Sequence, residues 1–355
     1  MKTYVGVLGA GGTVGSAVLR TLCAFPVRHI LAGIRHPGRA APEASVTVIK
    51  IDIRDERQLE AFCRQCRTVI NCVGASDELS YRVAEMCARE GVNYVDVSGE
   101  EHLAEKLLEW DAVFKRKKLQ CMFGAGVNPG LTEALTYQLC REYRPEQIEV
   151  YFSGSSGMSQ NAAVEMLRSC YAEDTVSGAY IEAGQIRSVS GYEAEKKLPE
   201  PTGRVLCFPL VNKSFSECIK ASPVQTAHYY NTFRTQQVVM CMAMAKLQNP
   251  SMDRTLLEKS AAGLVQAFAH EAELYESEFT AVHIFMRKEN RTIRKSYVYR
   301  GSWNELTGVT AALAAIGMEQ GKGRESGAGA AFQLADLPWL LQHLPLEQSE
   351  SDQEY

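Results

Sequence analysis

The sequence predicts an α/β protein, with a doubly wound parallel sheet first and an α+β domain of largely antiparallel sheet after it. Three observations support this prediction. An apolar run is followed at once by clustered glycines, apolar runs then alternate regularly with helical segments over residues 1–128, and this alternation is lost further on. A chain of 355 residues is long enough for two domains, each with its own core.

The first strand and the glycines predict a dinucleotide site. Residues 4–8 are an apolar run, residues 9–15 contain the glycines, and residues 16–22 continue at helical spacing. The spacing misses the last glycine of G-x-G-x-x-G but fits G-x-x-G-x-x-G. Such glycines let the backbone approach a pyrophosphate, which the N–H groups of the next helix bind. The cofactor contacts predicted here are Gly9, Gly11, Gly12, Thr13, Val14 and Gly15.

The end of the second predicted strand indicates which dinucleotide is bound. The apolar run 29–34 leads into Arg35, and the next acidic residue is Glu43. A carboxylate at this place binds the ribose hydroxyls of NAD, whereas an arginine can bind the 2′-phosphate of NADP through two hydrogen bonds. The sequence therefore predicts NADP(H). The alternative is that Arg35 belongs to a solvated basic loop.

The later strands predict further contacts at the same edge of the sheet. A third strand covers residues 46–51 and a helix capped by Asp55 follows it, while further strands cover about 68–74, 94–97 and 120–123. A single helix is predicted over about 101–118, before the last of these strands. Six strands alternating with helices are typical of a Rossmann domain, whose ligand lies at the carboxyl ends of the strands. The additional predicted cofactor contacts are Asp52, Ile53, Asn71, Cys72, Val73 and Gly74.

The second half of the chain follows a different pattern. Its predicted helices cover about 131–143, 235–247 and 254–268, and its predicted strands cover 147–152, 185–190, 205–211, 279–287 and 293–299. The last two strands read as a hairpin, and a small-residue helix and a glycine-rich loop at 321–329 follow. We predict a cofactor domain at 1–128, a substrate domain at 129–301, helices at 302–345 that pack back on the first domain, and an acidic, disordered tail at 346–355.

Charge and cysteine content exclude several function classes. A net charge of −4 gives no reason to expect a nucleic-acid partner, and no apolar run approaches the roughly 18 residues that span a membrane. The eleven cysteines are scattered, and only Cys63 and Cys66 have the spacing of a metal or redox pair. With no second pair to complete it, we predict no metal site. An odd cysteine count without a secretory signal predicts reduced thiols in the cytoplasm.

Three segments resemble the saccharopine dehydrogenase-like (saccharopine reductase-type) family. They are residues 9–15 with 32–35, residues 69–74 with 91–100, and residues 126–130. The stretch Tyr-Val-Asp-Val-Ser-Gly-Glu at 94–100 is the most specific of these. The resemblance implies an NADP-linked enzyme that acts on a C=N bond of opine-type or polyamine-type substrates, and a homodimer formed through the second domain. A neighbouring branch resembles trans-acting enoyl reductases.

One turn departs from the family pattern. Where saccharopine reductases commonly carry Cys-Gly-x-Asp-Pro-Gly, this chain has Ala125 and Asn128 in place of the thiol and the carboxylate. A carboxylate could hold a substrate ammonium, whereas the neutral amide of Asn128 can orient a carbonyl or imine. The alternative is that Asn128 serves only as a turn residue.

The candidate proton donors lie near the carboxyl ends of the strands. Asp96 ends the fifth strand and Glu100 begins the next helix, although Asp96 could also be a helix cap. His228 is the candidate from the second domain. Asn128 is the fourth candidate. Taken with these residues, the family resemblance implies an NADPH-dependent reductase of a C=N bond in a small or carrier-bound amino-acid-derived substrate. The alternatives are a trans-acting enoyl (C=C) reductase of polyketide or lipid assembly and a non-catalytic NADP-sensing regulator.

Overall fold

The computed structural model divides the chain into two units. One comprises Met1–Ala134 with Asn304–Leu344, and the other comprises Leu135–Trp303 with Pro345–Tyr355. The structure describes residues 2–25, 29–36, 45–74, 77–98, 101–169, 175–190, 194–248, 253–322 and 325–354.

The first unit contains a parallel seven-stranded sheet. Its strands are β1 (Tyr4–Leu8), β2 (Ile30–Ile34), β3 (Val46–Lys50), β4 (Cys66–Asn71), β5 (Asn93–Asp96), β6 (Gln120–Phe123) and β16 (Gly327–Ala330). Their order is β16-β6-β5-β4-β1-β2-β3, so the direction of winding reverses between β1 and β4. The six predicted strands and the doubly wound fold class are confirmed.

The seventh strand corrects the sequence prediction. The glycine-rich segment was expected to be a loop, but Gly327–Ala330 pairs in parallel with Gln120–Phe123 at the edge of the sheet. Glycine is required here because Gly327 has a φ of +133° and a Cβ would lie 3.0 Å from the Lys115 side chain. The small residues of this segment therefore form a strand that packs closely against the helix containing Lys115, rather than a loop.

Helices precede or follow the strands of this sheet along the chain. They are α1 (Thr13–Ala24), α2 (Glu56–Cys63), α3 (Asp77–Glu90), α4 (Glu101–Leu108), α5 (Asp111–Lys117), α11 (Trp303–Glu319), α12 (Ala331–Leu334) and α13 (Leu337–His343). Asp55 caps α2 as predicted and accepts from Arg57 N at 3.0 Å. The single helix expected over 101–118 is wrong. It is two helices, because Glu109 N and Trp110 N bond three residues back, to Lys106 O and Leu107 O, and tighten the chain into a turn.

The second unit contains a ten-stranded, largely antiparallel sheet. Its strands are β7 (Gln147–Gly154), β8 (Val176–Ser177), β9 (Ala179–Glu182), β10 (Gln185–Ser188), β11 (Glu195–Leu198), β12 (Gly203–Val211), β13 (Thr226–Phe233), β14 (Thr280–Lys288), β15 (Arg291–Tyr299) and β17 (Glu347–Glu354). Its helices are α7 (Gln160–Ser169), α8 (Lys213–Lys220), α9 (Gln237–Gln248) and α10 (Arg254–Glu273), and α6 (Leu131–Tyr143) leads into it. Among the described strands of this second sheet, only β13 and β7 pair in parallel, and the predicted β14–β15 hairpin is confirmed.

The acidic C-terminal tail is a strand rather than a disordered segment. β17 pairs with β15 along eight residues. Glu347 and Glu350 form ion pairs with Arg300 and Lys295 at 2.8 and 3.2 Å. The tail was predicted to be disordered from its composition, but its carboxylates lie opposite a basic strand and so gain cross-strand partners.

The described cysteines are free thiols. Burial raises the pKa of Cys66 and of Cys87, which keeps these thiols protonated and unreactive. None of the described helices is long and apolar enough to cross a membrane.

A buried histidine is expected to make the stability of the second unit depend on pH. His283 on β14 is fully buried, and its ring nitrogens share hydrogen bonds with Thr202 Oγ1 at 2.8 Å and Ser296 Oγ at 2.9 Å. Burial lowers its pKa to about 4. Since an unfolded histidine titrates near pH ~6.5, the unfolded chain takes up a proton below that pH which the folded chain does not. The free energy of unfolding should therefore fall as the pH decreases from 6.5 to 4.

We expect this histidine alone to lower the free energy of unfolding by about 2 kcal/mol when the pH falls from 7.5 to 5. Urea unfolding of the wild type and of His283→Gln at both pH values measures the effect, because glutamine keeps the hydrogen-bonding capacity but does not titrate. An equal loss of stability in the two proteins would show that His283 does not carry the pH dependence.

Candidate functional site

The three glycines of the G-x-x-G-x-x-G pattern are required for different reasons. Gly9 has a φ of +77°, and a Cβ there would lie 2.8 Å from the carbonyl oxygen of Cys72. A Cβ on Gly15 would lie 2.7 Å from Ala10 Cα. At Gly12, by contrast, the nearest atom is Gly9 O at an ordinary 3.4 Å. Gly9 and Gly15 are therefore needed by the turn itself, whereas the space above Gly12 is open to a ligand.

The start of α1 has the features of an anion site. Gly12 is its N-cap in extended conformation and makes no side-chain cap hydrogen bond, and the first turn contains no acidic residue. Gly12 and Thr13 are exposed, Gly11 and Val14 are half-buried. The N–H groups at the helix start are therefore available to a phosphate, and the positive end of the helix favours its charge. These residues fit the pyrophosphate of a dinucleotide.

Arg35 lies next to this turn. Gly33 O, at the end of β2, accepts hydrogen bonds from Gly9 N at 3.2 Å and Ala10 N at 3.3 Å. Arg35 follows two residues later with an exposed side chain, and its Nε donates to His36 Nε2 at 3.1 Å. Glu43, the first acidic residue after it, lies outside the described residues. Arg35 therefore follows the strand end that bonds to the glycine turn, and its contact with a cofactor stays a prediction.

Asp52 and Ile53 form the turn after the neighbouring strand β3. Ile51 N bonds to Ile34 O at 2.9 Å, which holds this turn beside the end of β2. Asp52 Oδ1 accepts from Arg54 N at 3.0 Å, and Ile53 is buried. Asp52 therefore shapes the turn, and its contact with a cofactor stays a prediction.

The segment Asn71–Gly74 lies on the other side of the glycine turn, where the winding of the sheet reverses. Leu8 pairs with Asn71, and Cys72 N donates to Leu8 O at 2.9 Å. Val73 is half-buried and Gly74 is exposed. A crevice at such a reversal is where doubly wound sheets bind their ligands.

A buried polar cluster connects β4 and β5. Asn71 Nδ2 donates to Ser80 Oγ at 2.9 Å and to Asp96 Oδ2 at 3.1 Å, and the Tyr94 hydroxyl also donates to Asp96 Oδ2. The other carboxylate oxygen, Oδ1, accepts from Ser98 N at 2.8 Å. Because Asp96 is 1% exposed, all of these bonds form away from water. The carboxylate is thus held by protein donors on both of its oxygens.

This environment determines how Asp96 titrates. Burial raises its pKa above the usual aspartate range, although the hydrogen bonds from Tyr94, Ser98 and Asn71 act in the opposite direction. Burial and the neighbouring carboxylate together raise the pKa of Tyr94. The alternative that Asp96 caps a helix is wrong, since α4 begins only at Glu101. Tyr94 was missed as a site residue, although its position two residues before Asp96 on a strand puts both side chains on one face.

The turn with Asn128 lies beside the end of β5. Gly124 N donates to Ser98 O at 2.7 Å and Ala125 N donates to Asp96 O at 2.9 Å. Gly130 has a φ of +134°, and a Cβ there would lie 2.5 Å from Gly124 O. Asn128 itself is half-buried. The structure therefore brings Asn128 to the same edge of the sheet as Asp96.

Glu133 was not predicted as a site residue, and its carboxylate stabilises this turn by accepting a hydrogen bond from it. It is 1% exposed, and its Oε2 accepts from Gly130 N and from Thr132 Oγ1, both at 2.6 Å. A glutamate at the third position of a helix that bonds back to the residue before the helix is half of a capping box. The sequence signal for it was the Gly-Leu-Thr-Glu spacing at the start of α6.

Two catalytic candidates remain. Glu100 lies outside the described residues. His228 belongs to the second unit, on β13 opposite Glu149 of β7, and its ring stacks on Tyr180 at 4.6 Å. It is half-buried, its Nδ1 shares a hydrogen bond of 3.3 Å with the Tyr230 hydroxyl, and burial lowers its pKa.

Charged side chains surround His228 on this sheet. Lys196 Nζ contacts Glu149 Oε2 at 3.1 Å, and Arg287 Nη2 lies 3.7 Å from Glu149 Oε1. Burial alone would raise the pKa of Glu149, but these cations and a hydrogen bond from Tyr151 bring it below the usual range. We call the set Glu149, Tyr151, Tyr180, Lys196, His228 and Arg287 the His228 patch.

Comparison with known proteins finds a similarity in the first part of the chain. Residues 5–122 match the family model described as the saccharopine dehydrogenase NADP binding domain. A probable mitochondrial saccharopine dehydrogenase-like oxidoreductase of Arabidopsis thaliana is 29% identical, over 28% of this chain and 26% of the relative's length. The similarity to this relative is therefore confined to about a quarter of it.

Among solved structures, the apo saccharopine dehydrogenase (L-Glu forming) of Saccharomyces cerevisiae matches with a TM-score of 0.67. The match covers 98% of this chain and 100% of the yeast chain at 15% sequence identity, which shows a shared fold. Residues 5–122 therefore match the saccharopine dehydrogenase NADP-binding domain, and the chain shares the fold of the yeast protein.

Proposed function

We propose that the protein is an NADPH-dependent oxidoreductase that reduces a C=N bond in a small or carrier-bound amino-acid-derived substrate. The observation that carries this proposal is the arrangement along the carboxyl edge of the parallel sheet. The start of α1 at Gly12 and the side chain of Arg35 follow the strands β1 and β2. Along the same edge, Asp96 lies three strands from Arg35 and the turn with Asn128 lies four strands from it. The cofactor would supply the hydride.

The residues of the first unit then have distinct tasks. Gly12 and the start of α1 bind the pyrophosphate, and Arg35 binds the 2′-phosphate. Asn128 orients the imine through its amide, and Glu100 delivers the proton that makes the imine easier to reduce. Asp96 positions its neighbours, since both of its oxygens already accept hydrogen bonds from protein donors.

The His228 patch supports a substrate with an acidic group. It combines two cations, Lys196 and Arg287, with one carboxylate, and Arg287 is 56% exposed. Such a polar surface suits the carboxylate of an amino-acid-derived substrate, whereas an acyl chain would need an apolar groove. His228 is the alternative proton donor from this unit.

A substrate panel tests the reaction. Oxidation of NADPH is followed with imines formed in situ from amines and 2-oxo acids, and separately with enoyl thioesters. The control is Gly12→Val, which is expected not to bind NADPH, so any NADPH oxidation that it shows does not come from the cofactor site. We expect turnover with imines. Turnover with enoyl thioesters alone would support the enoyl reductase, and NADPH binding without any turnover would support the sensor.

We also propose a homodimer formed through the second domain and a cytoplasmic location. The dimer follows from the family resemblance, and the free cysteines agree with a reducing compartment. Light scattering should give twice the chain mass of 39.3 kDa.

Arg35 is expected to select NADPH over NADH. The unmodified protein should bind NADPH at least about tenfold more tightly, which corresponds to about 1.4 kcal/mol. Arg35→Asp should reduce or reverse this preference, because a carboxylate repels the 2′-phosphate and can bind ribose hydroxyls. Calorimetric titration with both nucleotides measures it, and Arg116→Asp on α5 is the control for a general change of charge. Equal affinities in the unmodified protein would contradict the assignment.

A further inference from the structure

The helix α11 contacts the cofactor helix so closely that only glycine fits. A Cβ on Gly308 would lie 2.5 Å from the carbonyl oxygen of Val14, 2.6 Å from Ala17 Cβ and 3.0 Å from Val18 N. All three atoms belong to the first half of α1. The backbone of α11 therefore packs directly against the end of α1 that presents N–H groups to the pyrophosphate.

The preceding residue of α11 contacts the substrate-side turn. The Cγ2 methyl of Thr307 lies 3.2 Å from the position that a Cβ on Gly126 would occupy. Gly126 is at the start of the turn that carries Asn128, and the same position lies 3.1 Å from Val97 O. Two consecutive residues of one helix thus contact the two ends of the candidate site.

The surroundings of α11 hold it in place. Leu306 and Ala311 are 1% and 0% exposed, and Thr310 Oγ1 donates to Leu306 O at 2.8 Å. Arg20 Nη2 on α1 also pairs with Glu305 Oε1 at 2.8 Å. A buried helix with fixed neighbours transmits a displacement at one residue to the next.

We propose that Gly308 and Thr307 are positioning residues that set the spacing between the pyrophosphate site and the Asn128 turn. Gly308 fixes the start of α1, and Thr307 fixes the turn. The role of Thr307 rests on the proposed function, whereas the role of Gly308 rests only on cofactor binding. A misplacement of about 1 Å at a reacting site can cost about 100-fold in rate. An added methyl at residue 308 demands a shift of that order, since ordinary carbon contacts need about 3.5 Å.

The first test compares Gly308→Ala with Gly263→Ala. Gly263 lies inside α10, and a Cβ there meets nothing within 4 Å, so this control makes the same chemical change at a helix position where the added methyl group has no close neighbour. We expect Gly308→Ala to weaken NADPH binding about tenfold in calorimetry and Gly263→Ala to leave it unchanged. Wild-type affinity in a Gly308→Ala protein, whatever its melting temperature, would show that the contact serves packing alone and would overturn the proposal.

If Gly308→Ala fails to fold, the double variant Gly308→Ala with Ala17→Gly replaces it in the test. This variant removes the close contact with Ala17 Cβ and keeps the close contact with the carbonyl oxygen of Val14. Weakened NADPH binding in the folded double variant, relative to Ala17→Gly alone, supports the proposal, and equal binding overturns it.

The second test compares Thr307→Ala with Thr307→Val. Alanine removes the methyl beside Gly126, whereas valine keeps a branched side chain of the same shape. We expect Thr307→Ala to lower kcat several-fold with unchanged NADPH affinity, and Thr307→Val to restore it. A changed NADPH affinity in place of a changed kcat would overturn the division of roles. If no substrate is turned over by the wild type, the proposed function fails, while the NADPH titrations still decide the role of Gly308.

Discussion

Gly12→Val is expected to abolish NADPH binding while the fold survives. The backbone at Gly12 is ordinary, with φ −85° and ψ 171°, and a Cβ there makes no contact closer than 3.4 Å. Valine can therefore be accommodated by the protein. Its branched side chain would, however, occupy the space where the pyrophosphate approaches the start of α1. We expect at least a 100-fold loss of affinity, which corresponds to about 2.7 kcal/mol.

Calorimetry measures this loss, and circular dichroism checks the fold. Gly263→Val is the matched control, because it introduces the same side chain at a glycine with open space around it. Gly15→Val should behave differently and destabilise the protein, since its Cβ would lie 2.7 Å from Ala10 Cα. Retained NADPH affinity in Gly12→Val would show that the pyrophosphate binds elsewhere.

Asp96→Asn and Glu100→Gln should each reduce turnover by roughly 10²–10⁴-fold with little change in NADPH binding. For Asp96 the reason is the cluster around it. An amide at this position can still accept from Ser98 N, but its NH₂ group would face the donors of Asn71 and Tyr94. Unpaired buried donors cost about 1–3 kcal/mol, and the backbone after Asp96 would lose its fixed position. For Glu100 the reason is the loss of an acidic proton.

Steady-state kinetics separate the two effects. Asp96→Asn should lower both the melting temperature and kcat, whereas Glu100→Gln should lower kcat alone. Tyr94→Phe is the matched control for Asp96→Asn, since it removes one donor to the carboxylate and leaves the carboxylate in place. We expect it to retain more activity than Asp96→Asn. Full activity in both amide variants would show that the proton donor is another residue, and His228→Gln would then be the next variant to measure.

Local patterns were sufficient for the cofactor half of the protein. A strand, a glycine turn and a helix within 24 residues, and an arginine at the end of the next strand, depend on neighbours in sequence. The same holds for the alternation of strands and helices up to Phe123, because a parallel sheet buried on both faces requires near-continuous apolar runs. These features need no knowledge of distant residues, and the parallel sheet was predicted from them.

Tertiary structure alone decided the remaining features, because they depend on partners far away in the chain. The strands β16 and β17 exist because Gln120–Phe123 and β15 offer edges to which a glycine-rich and an acidic segment can pair. The sequence indicated only that Asp96 ends a strand, as a proton donor or a helix cap, and the fold encloses it among Asn71, Ser80 and Tyr94. Likewise, the sequence does not distinguish Gly308 from the other small residues of α11, and only the packing shows that it lies against Val14. Sequence periodicity determines which faces are apolar, whereas burial, hydrogen-bond partners and close contacts are set by which faces meet.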